Sequence, residues 1–433
     1  MEQSQSNPLD LFQSKSSPLL SSSLDITQLP SQFRVALIGT TMSGKTTLCS
    51  LLSYHHQNEK YEKTSSMTEF TYHSVNNIQV KLLDLCGSEK YFRNTLYGMT
   101  SLYPDYAMVV ISGNNSITQN TKEHIGIALI LQIPIFIVVT KKDITPPDIM
   151  SNTLEEINKF VMTSGFQCGK PEMITENAIR NKNKFILDKT VDMMIISTNS
   201  NSDISLLRQY IDKLSLLKKE RPPIQYLNPQ FNVINSVYAI SSILYTKAGK
   251  HNNEENKDSP TIVNGICLKG TIYGGKNMFI GPDTKGDFHP VQINSIHNDK
   301  ESIEKVNETF LCSLSITPLF PSYIDLLRKG MILVSSENPL PKSYKEFTAE
   351  IVILHQSTTI KQNYFCVVYS HNIAQSAQIT WVSKPVMKSG DIGKAKFLFV
   401  KYPECISVDD LLIIFETRIR AIGKVIEINN TVN

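Results

Sequence analysis

From residue 34 to about residue 219, short apolar runs alternate with amphipathic stretches. The runs fall at 35–38, 80–85, 107–112, 135–139 and 193–197, and several of them show no polar alternation. Unbroken runs of this length predict strands covered on both faces of a parallel sheet. Between them, apolar residues at helical spacing predict helices at 91–99, 122–131, 154–162 and 204–217. The alternation predicts an α/β domain with a mostly parallel sheet, whose ligands sit at the carboxyl ends of the strands. Arg221-Pro222-Pro223 breaks the last helix. Beyond it the pattern changes to strand-like runs at 265–272, 291–296 and 309–316, punctuated by Gly, Pro, Asn and Asp. A second break at 338–344 contains Pro339 and Pro341, and more strands follow at 348–354, 364–369, 376–382, 394–400, 411–415 and 421–428. The expected organisation is a floppy Ser-rich tail over 1–32, an α/β domain over 33–220, and two small β-barrels. The barrels span 221–340 and 341–433, the first interrupted by a polar insertion at 247–260.

Candidate chemistry sharpens this picture at the strand ends. The first strand runs into Gly39-Thr40-Thr41-Met42-Ser43-Gly44-Lys45-Thr46, with Thr47 opening a helix. A glycine-rich turn between strand and helix lets successive backbone N–H groups face a phosphate, and the helix N-terminus adds partial positive charge. Lys45 then reaches the β- and γ-phosphates, and the Thr46 hydroxyl can ligate Mg²⁺. About forty residues on, Asp84-Leu85-Cys86-Gly87 ends another strand. There Asp84 can hold Mg²⁺ through a water and the Gly87 N–H can sense the γ-phosphate, as a switch requires. Between the two, a hydroxyl is needed to complete the metal shell. Thr64 is the first choice, with Ser65 and Thr68 as competitors. Thr140-Lys141-Lys142-Asp143 ends a later strand; Asp143 can accept from the N1–H and N2–H₂ edge of guanine while the Lys141 stem covers the base. Ser197-Thr198-Asn199 fits the loop whose N–H meets guanine O6. Each short motif alone is weak, and the four in order predict a guanine-nucleotide domain. His55-His56 reads as a solvated helix end, because adjacent helical side chains point apart. A phosphate-loop kinase would leave Asp143 and the trailing barrels unexplained.

Composition adds limits rather than direction. With 433 residues, 41% hydrophobic and 19% charged, the chain is long enough for several cored domains. A formal charge of +3 permits local contact with RNA without predicting it. Seven cysteines with no C-x-x-C pair support neither a disulfide framework nor a zinc site, and point to a reducing, cytoplasmic setting. The most apolar stretch, 125–139, is broken by Gly126, Gln132 and Pro134, and reads as helix, turn and strand rather than a membrane span. The amino-terminal segment has neither the basic start nor the apolar core of a secretory signal.

The residues 84–99, Thr121-Lys122-Glu123-His124 and Val139-Thr140-Lys141-Lys142-Asp143 resemble translational GTPases of the elongation factor Tu class, and within it the GTP-binding protein 1 family. Ile280-Gly281-Pro282-Asp283, Arg328-Lys329-Gly330-Met331 and Ser389-Gly390-Asp391 extend the resemblance into both barrels. It implies GTP/GDP and Mg²⁺ as cofactors, a monomer, and a role around tRNA, the ribosome or mRNA turnover. It also implies that Lys45, Gly87 and Ser88 occupy the catalytic positions. This chain departs from the family in three places. Ser88 stands where the family places a histidine that orients the attacking water. Met42 stands where the phosphate loop carries an aspartate, and Thr140 stands where most GTPases carry asparagine. The first two predict slow intrinsic hydrolysis. The other reading is a binding scaffold that keeps its nucleotide for structure.

Overall fold

The structure, a computed structural model, describes residues 31–53, 68–163, 171–181, 191–217, 231, 234–244, 261–299, 301–319, 326–335, 340–354 and 359–429. The tail up to residue 30, Thr64 and Ser65, His55-His56, the Arg221-Pro222-Pro223 break and the 247–260 insertion lie outside the described residues.

The α/β part runs β1 (Gln32–Ile38), α1 (Lys45–Ser53), β2 (Thr68–His73), β3 (Gln79–Asp84), α2 (Phe92–Ser101), β4 (Tyr106–Ser112) and α3 (Gln119–Ile130). It continues through β5 (Ile135–Thr140), α4 (Pro147–Thr163), β6 (Glu172–Met173), α5 (Glu176–Asn181), β7 (Asp192–Ile195) and α6 (Asn201–Leu217). The sheet has seven strands in the order β2-β3-β1-β4-β5-β7-β6. All neighbours are parallel except β2, which pairs antiparallel with β3 along the edge. The unbroken apolar runs are explained by burial on both faces: β1, β4 and β5 are buried at every position. Successive side chains go to opposite faces. Ala36, Ile38, Val109, Ile137 and Val139 pack with Leu96 and Met99 of α2, Ile125 of α3 and Ile157 of α4. Phe33, Val35, Leu37, Val110 and Val138 pack with Leu48 and Leu52 of α1 and Leu207, Ile211 and Leu214 of α6.

Two β-rich units follow, as the pattern predicts. The first contains β8 (Val237–Leu244), β9 (Thr261–Lys269), β10 (Ile272–Tyr273), β11 (Asn277–Gly281), β12 (His289–Asn298), β13 (Glu301–Ile303), β14 (Lys305–Val306), β15 (Leu311–Pro318) and β16 (Ile332–Ser335). Its sheet, β11-β16-β8-β9-β15-β12-β13, closes on itself through the β11–β12 pair. The second is a closed barrel in the order β17 (Glu346–Ile353), β20 (Ile392–Phe399), β19 (Ile373–Val382), β18 (Tyr364–Ser370), β21 (Leu411–Phe415) and β22 (Ile419–Asn429). Its core takes alternate residues, as Phe347, Ala349, Ile351 and Ile353 of β17 show. Closure removes the exposed strand edges that an open sheet of this length would present.

Residues 31–433 form one compact unit, and one apolar cluster runs through all three parts. The face of the α/β sheet bearing α2 and α3 is continuous with Val237, Ala239 and Ile332 of the first barrel and with Tyr369, Ile413 and Phe415 of the second. Polar clamps fix the parts in register. The Gln32 amide donates to the Leu311 carbonyl at 3.0 Å and accepts from the Leu311 N–H at 2.7 Å, so a side chain acts as a strand neighbour. Between the barrels, Arg328 makes a two-pronged pair with Glu404 at 2.9 and 3.0 Å and lies over the Tyr402 ring. Both charged groups are nearly excluded from water, with side-chain exposures of 14% and 2%. Burial pushes the Glu404 carboxyl up, against the pull of Arg328.

Glu404→Ala leaves the Arg328 guanidinium buried without its counter-charge and is expected to cost about 3–5 kcal/mol in urea denaturation. Lys384→Ala, which removes an exposed pair with Asp391, is expected to leave the urea midpoint essentially unchanged.

Candidate functional site

The phosphate loop connects β1 to α1 at the carboxyl edge of the sheet, and its shape follows from close packing. Gly39 adopts φ 133°, and a Cβ there would lie 2.2 Å from the Val110 carbonyl oxygen. Only glycine lets the loop leave the strand at this point. The loop then folds back so that Lys45, at the start of α1, donates to the Gly39 and Thr40 carbonyls at 3.1 and 2.7 Å. Lys45 is 7% exposed, and burial lowers its pKa against the opposing pull of Asp84. A cation withdrawn from water and facing backbone oxygens is poised for anionic phosphate.

Asp84 and Gly87 come from the end of β3 and close over the same point. The Thr46 hydroxyl donates to Asp84 Oδ2 at 2.5 Å, and burial raises the Asp84 carboxyl from its ordinary range. A hydroxyl and a carboxylate side by side form a hard oxygen donor set, which suits Mg²⁺. Among the described residues, Thr46 and Asp84 therefore fit the metal expectation, while Thr64 lies outside them. Thr68, its competitor, opens β2 directly opposite Asp84. Gly87 is in contact with the loop: a Cβ on it would meet Lys45 Nζ at 2.4 Å and the Gly39 oxygen at 2.6 Å. Its carbonyl accepts from the Thr41 N–H at 3.1 Å. Ser88 follows as a half-buried residue opening a single 3₁₀ turn, and its side chain makes no capping bond there. Met42 takes a positive φ of 62° and is 79% exposed, so an apolar thioether projects from the loop. Ser43 is buried, with its hydroxyl on the Thr40 carbonyl, and Thr46 and Thr47 are exposed. Gly44, at φ 99°, packs beside the Thr140 side chain.

The base-side motifs meet at the ends of β5 and β7. Lys142 N–H bonds the Ile196 carbonyl at 3.1 Å, tying the loops together. The Asn199 amide donates to Asp143 Oδ2 at 2.8 Å. Bonds from Ser197 and Asn199 hold the exposed Asp143 carboxyl below its usual range, so it stays an acceptor. Thr140 differs from the others: it is wholly buried, and its hydroxyl donates to the Ser43 carbonyl at 2.7 Å. It therefore braces the phosphate loop from behind.

Two residues of α3 that chemistry-based reading of the motifs passes over also belong here. The Asn120 amide donates to the Gly87 carbonyl at 2.8 Å. His124 Nδ1 accepts from the Gly39 N–H at 3.3 Å, which puts the ring proton on Nε2, a buried atom without a hydrogen-bond partner among the described residues. Asn120, Thr121 and His124 are polar residues buried alongside Ile125, Ile127 and Ala128 in a helix whose first half is polar throughout, so the sequence alone did not mark them. His124 stacks on Phe92 of α2, and Phe92 stacks on Phe415 of the second barrel. Burial, together with the Lys45 charge, pushes the His124 imidazole down to about 3.

This shift has a fixed sign. The unfolded chain binds a proton at His124 below its ordinary pKa near 6.5, and the folded chain resists doing so down to about 3. Stability contributed by the neutral ring is therefore present above that ordinary value and is lost as pH falls through the window. His124→Asn is expected to flatten the dependence of unfolding free energy on pH between 6 and 4 by up to about 1.4 kcal/mol per unit, measured by urea titration.

Comparison with known proteins agrees with this arrangement. The elongation factor Tu GTP binding domain family matches residues 31–216. GTP-binding protein 1 of Xenopus laevis is 30% identical over 359 residues, covering 82% of this chain and 51% of that protein. GTP-binding protein 2 of Homo sapiens is 27% identical over 396 residues, covering 89% and 62%. The chain thus spans between about half and three-fifths of the length of these relatives. Among solved structures, translation elongation factor SelB of Methanococcus maripaludis, in complex with the GTP analogue GppNHp, superposes with a TM-score of 0.66 at 17% identity. The match covers 92% of this chain and 80% of that one, and shows a shared fold. Residues 31–216 match the elongation factor Tu GTP binding domain family, and the chain is similar to GTP-binding proteins 1 and 2 over 82–89% of its length.

Proposed function

We propose that this protein binds GTP and GDP with Mg²⁺ and acts as a slowly hydrolysing switch of the translational GTPase type. The observation that carries this reading is the closure of Gly87 and Asp84 onto Lys45 and Thr46. A third phosphate entering there must displace or re-bond the Gly87 segment, which leads directly into α2. In this reading Lys45 binds the phosphates, Thr46 and Asp84 hold the metal, and Gly39, Thr41, Met42, Ser43, Gly44 and Thr47 form the cradle. Bound Mg²⁺ would supply charge compensation between the phosphates. Thr64 remains the candidate for the further hydroxyl ligand. Lys141, Asp143, Ser197, Thr198 and Asn199 form the base site, with Thr140 in support.

The switch has a path to the barrels. Tyr97 of α2 donates to the Ser241 carbonyl of the first barrel at 3.1 Å, and Arg93 of α2 donates to the Glu416 carbonyl of the second. Movement of α2 would break contacts on both. The relatives named above include a translation elongation factor, which supports an RNA-containing partner such as tRNA, the ribosome or the mRNA-turnover machinery. No helix among the described residues is long and apolar enough to cross a membrane. A scaffold reading is favoured by one feature, Ser88, whose side chain makes no capping bond and is too short to replace the reach of an imidazole.

Nucleotide titration and turnover assays separate the two. Lys45→Ala is expected to weaken GTP and GDP binding by roughly 10²-fold or more, because charge-assisted bonds to phosphate are lost. Unchanged affinity would refute the site. Ser88→His is expected to raise the single-turnover hydrolysis rate by on the order of 10-fold or more. A wild-type protein that binds GTP tightly but never releases phosphate, even with ribosomes added, would establish the scaffold.

A further inference from the structure

We infer that Asn120 of α3 is a positioning residue that sets the preference between nucleoside diphosphate and triphosphate, by holding the Gly87 carbonyl in a pose that the third phosphate must disturb. This rests on the guanine-nucleotide reading above and concerns how that site weighs the length of the phosphate chain.

Two peptide groups flank the Gly87 Cα, and a different helix holds each. The Cys86 carbonyl accepts from the Thr95 hydroxyl of α2 at 2.5 Å. The Gly87 carbonyl accepts from the Asn120 amide of α3 at 2.8 Å and from the Thr41 N–H of the phosphate loop at 3.1 Å. A carbonyl oxygen has two lone pairs, and these two donors fill them. Thr95 and Asn120 are 1% and 6% exposed, so water competes little for either bond. The Gly87 N–H, in contrast, makes no hydrogen bond among the described residues.

The Gly87 carbonyl is therefore turned toward the phosphate loop, its oxygen resting on a loop amide. The fit is close, since a Cβ on Gly87 would lie 2.4 Å from Lys45 Nζ. A third phosphate between the loop and Gly87 brings anionic oxygens against that carbonyl and seeks N–H donors instead. Accommodating it turns the carbonyl away and breaks the bonds from Asn120 and Thr41 together. A diphosphate stops short of Gly87 and leaves both in place. The Thr41 N–H regains an acceptor in the phosphate, whereas the buried Asn120 amide loses its own. A contact made in one liganded state and not in the other shifts their relative affinity by its own free energy. Asn120 is thus a restraint that weighs against the triphosphate and not against the diphosphate.

The test is equilibrium binding of GDP and the non-hydrolysable analogue GppNHp to the full chain with Mg²⁺, read as the ratio of the two dissociation constants. Asn120→Ala removes the donor, and Asn120→Leu removes it while keeping the bulk of the side chain. Both are expected to shift the ratio toward GppNHp by about fivefold, the worth of one neutral hydrogen bond lost from the diphosphate state only. A ratio within about twofold of wild type, or shifted toward GDP, in a variant that keeps its fold overturns the inference. Loss of the fold or of both ligands in both variants marks a purely structural role and overturns it as well. A wild-type protein with no measurable affinity for either ligand overturns the guanine-nucleotide reading itself.

Discussion

Burial of the Lys45 ammonium is the constraint around which the rest is arranged. A charge withdrawn from water is tolerated only where polar partners replace the hydration shell. Here those partners are the Gly39 and Thr40 carbonyls, with Asp84 adding negative charge nearby. That arrangement dictates the glycine at 39, which alone can curl the loop back under Val110. It also dictates the glycine at 87, which alone can approach the ammonium closely. The neighbouring histidine must stay neutral beside a buried cation, and the shift at His124 reflects that demand. The proposed phosphate site and the stability of the fold thus meet in one cluster.

The same cluster is linked mechanically to the barrels. Gly39 touches His124, His124 lies on Phe92, and Phe92 lies on Phe415. Aromatic pairs favour a few stacked or edge-on arrangements. A displacement at the loop is therefore felt across α2 and α3 rather than absorbed in loose packing. The continuous apolar cluster joining the α/β sheet to both barrels makes relative movement costly unless one set of contacts replaces another. Arg328 and Glu404 fasten the barrels to each other, so the pair is suited to move together against the nucleotide domain.

The three departures at the site bear on different things. Ser88 and Met42 stand where the family resemblance implies groups that act on the reacting phosphate, and Met42 faces solvent rather than the loop interior. Thr140 leaves the phosphate loop braced, because one hydroxyl suffices for the Ser43 carbonyl. On the proposed function, binding and turnover rest on different groups: Lys45, Thr46, Asp84 and Asp143 would hold the nucleotide, while Ser88 and Met42 would bear on its hydrolysis.

By itself the amino-acid sequence determined the class of the fold, the phosphate loop and the order of the strand-end motifs, because these depend on local periodicity and on residues within a few positions of each other. β1, β4 and β5 were legible as unbroken apolar runs since both faces are covered. β2 was not legible, because an edge strand with alternating burial over Thr68–His73 looks like ordinary polar chain, and β16, four residues long, was missed because its pairing depends on β8 and β11 far back in the chain. Tertiary structure alone decided the rest. It turned Thr140 inward to Ser43, brought His124 to Gly39 and Asn120 to Gly87 from a helix distant in the chain, and set Phe92 against Phe415. Those contacts depend on which helix face meets which sheet face, and pairwise spacing along a chain carries no record of that choice.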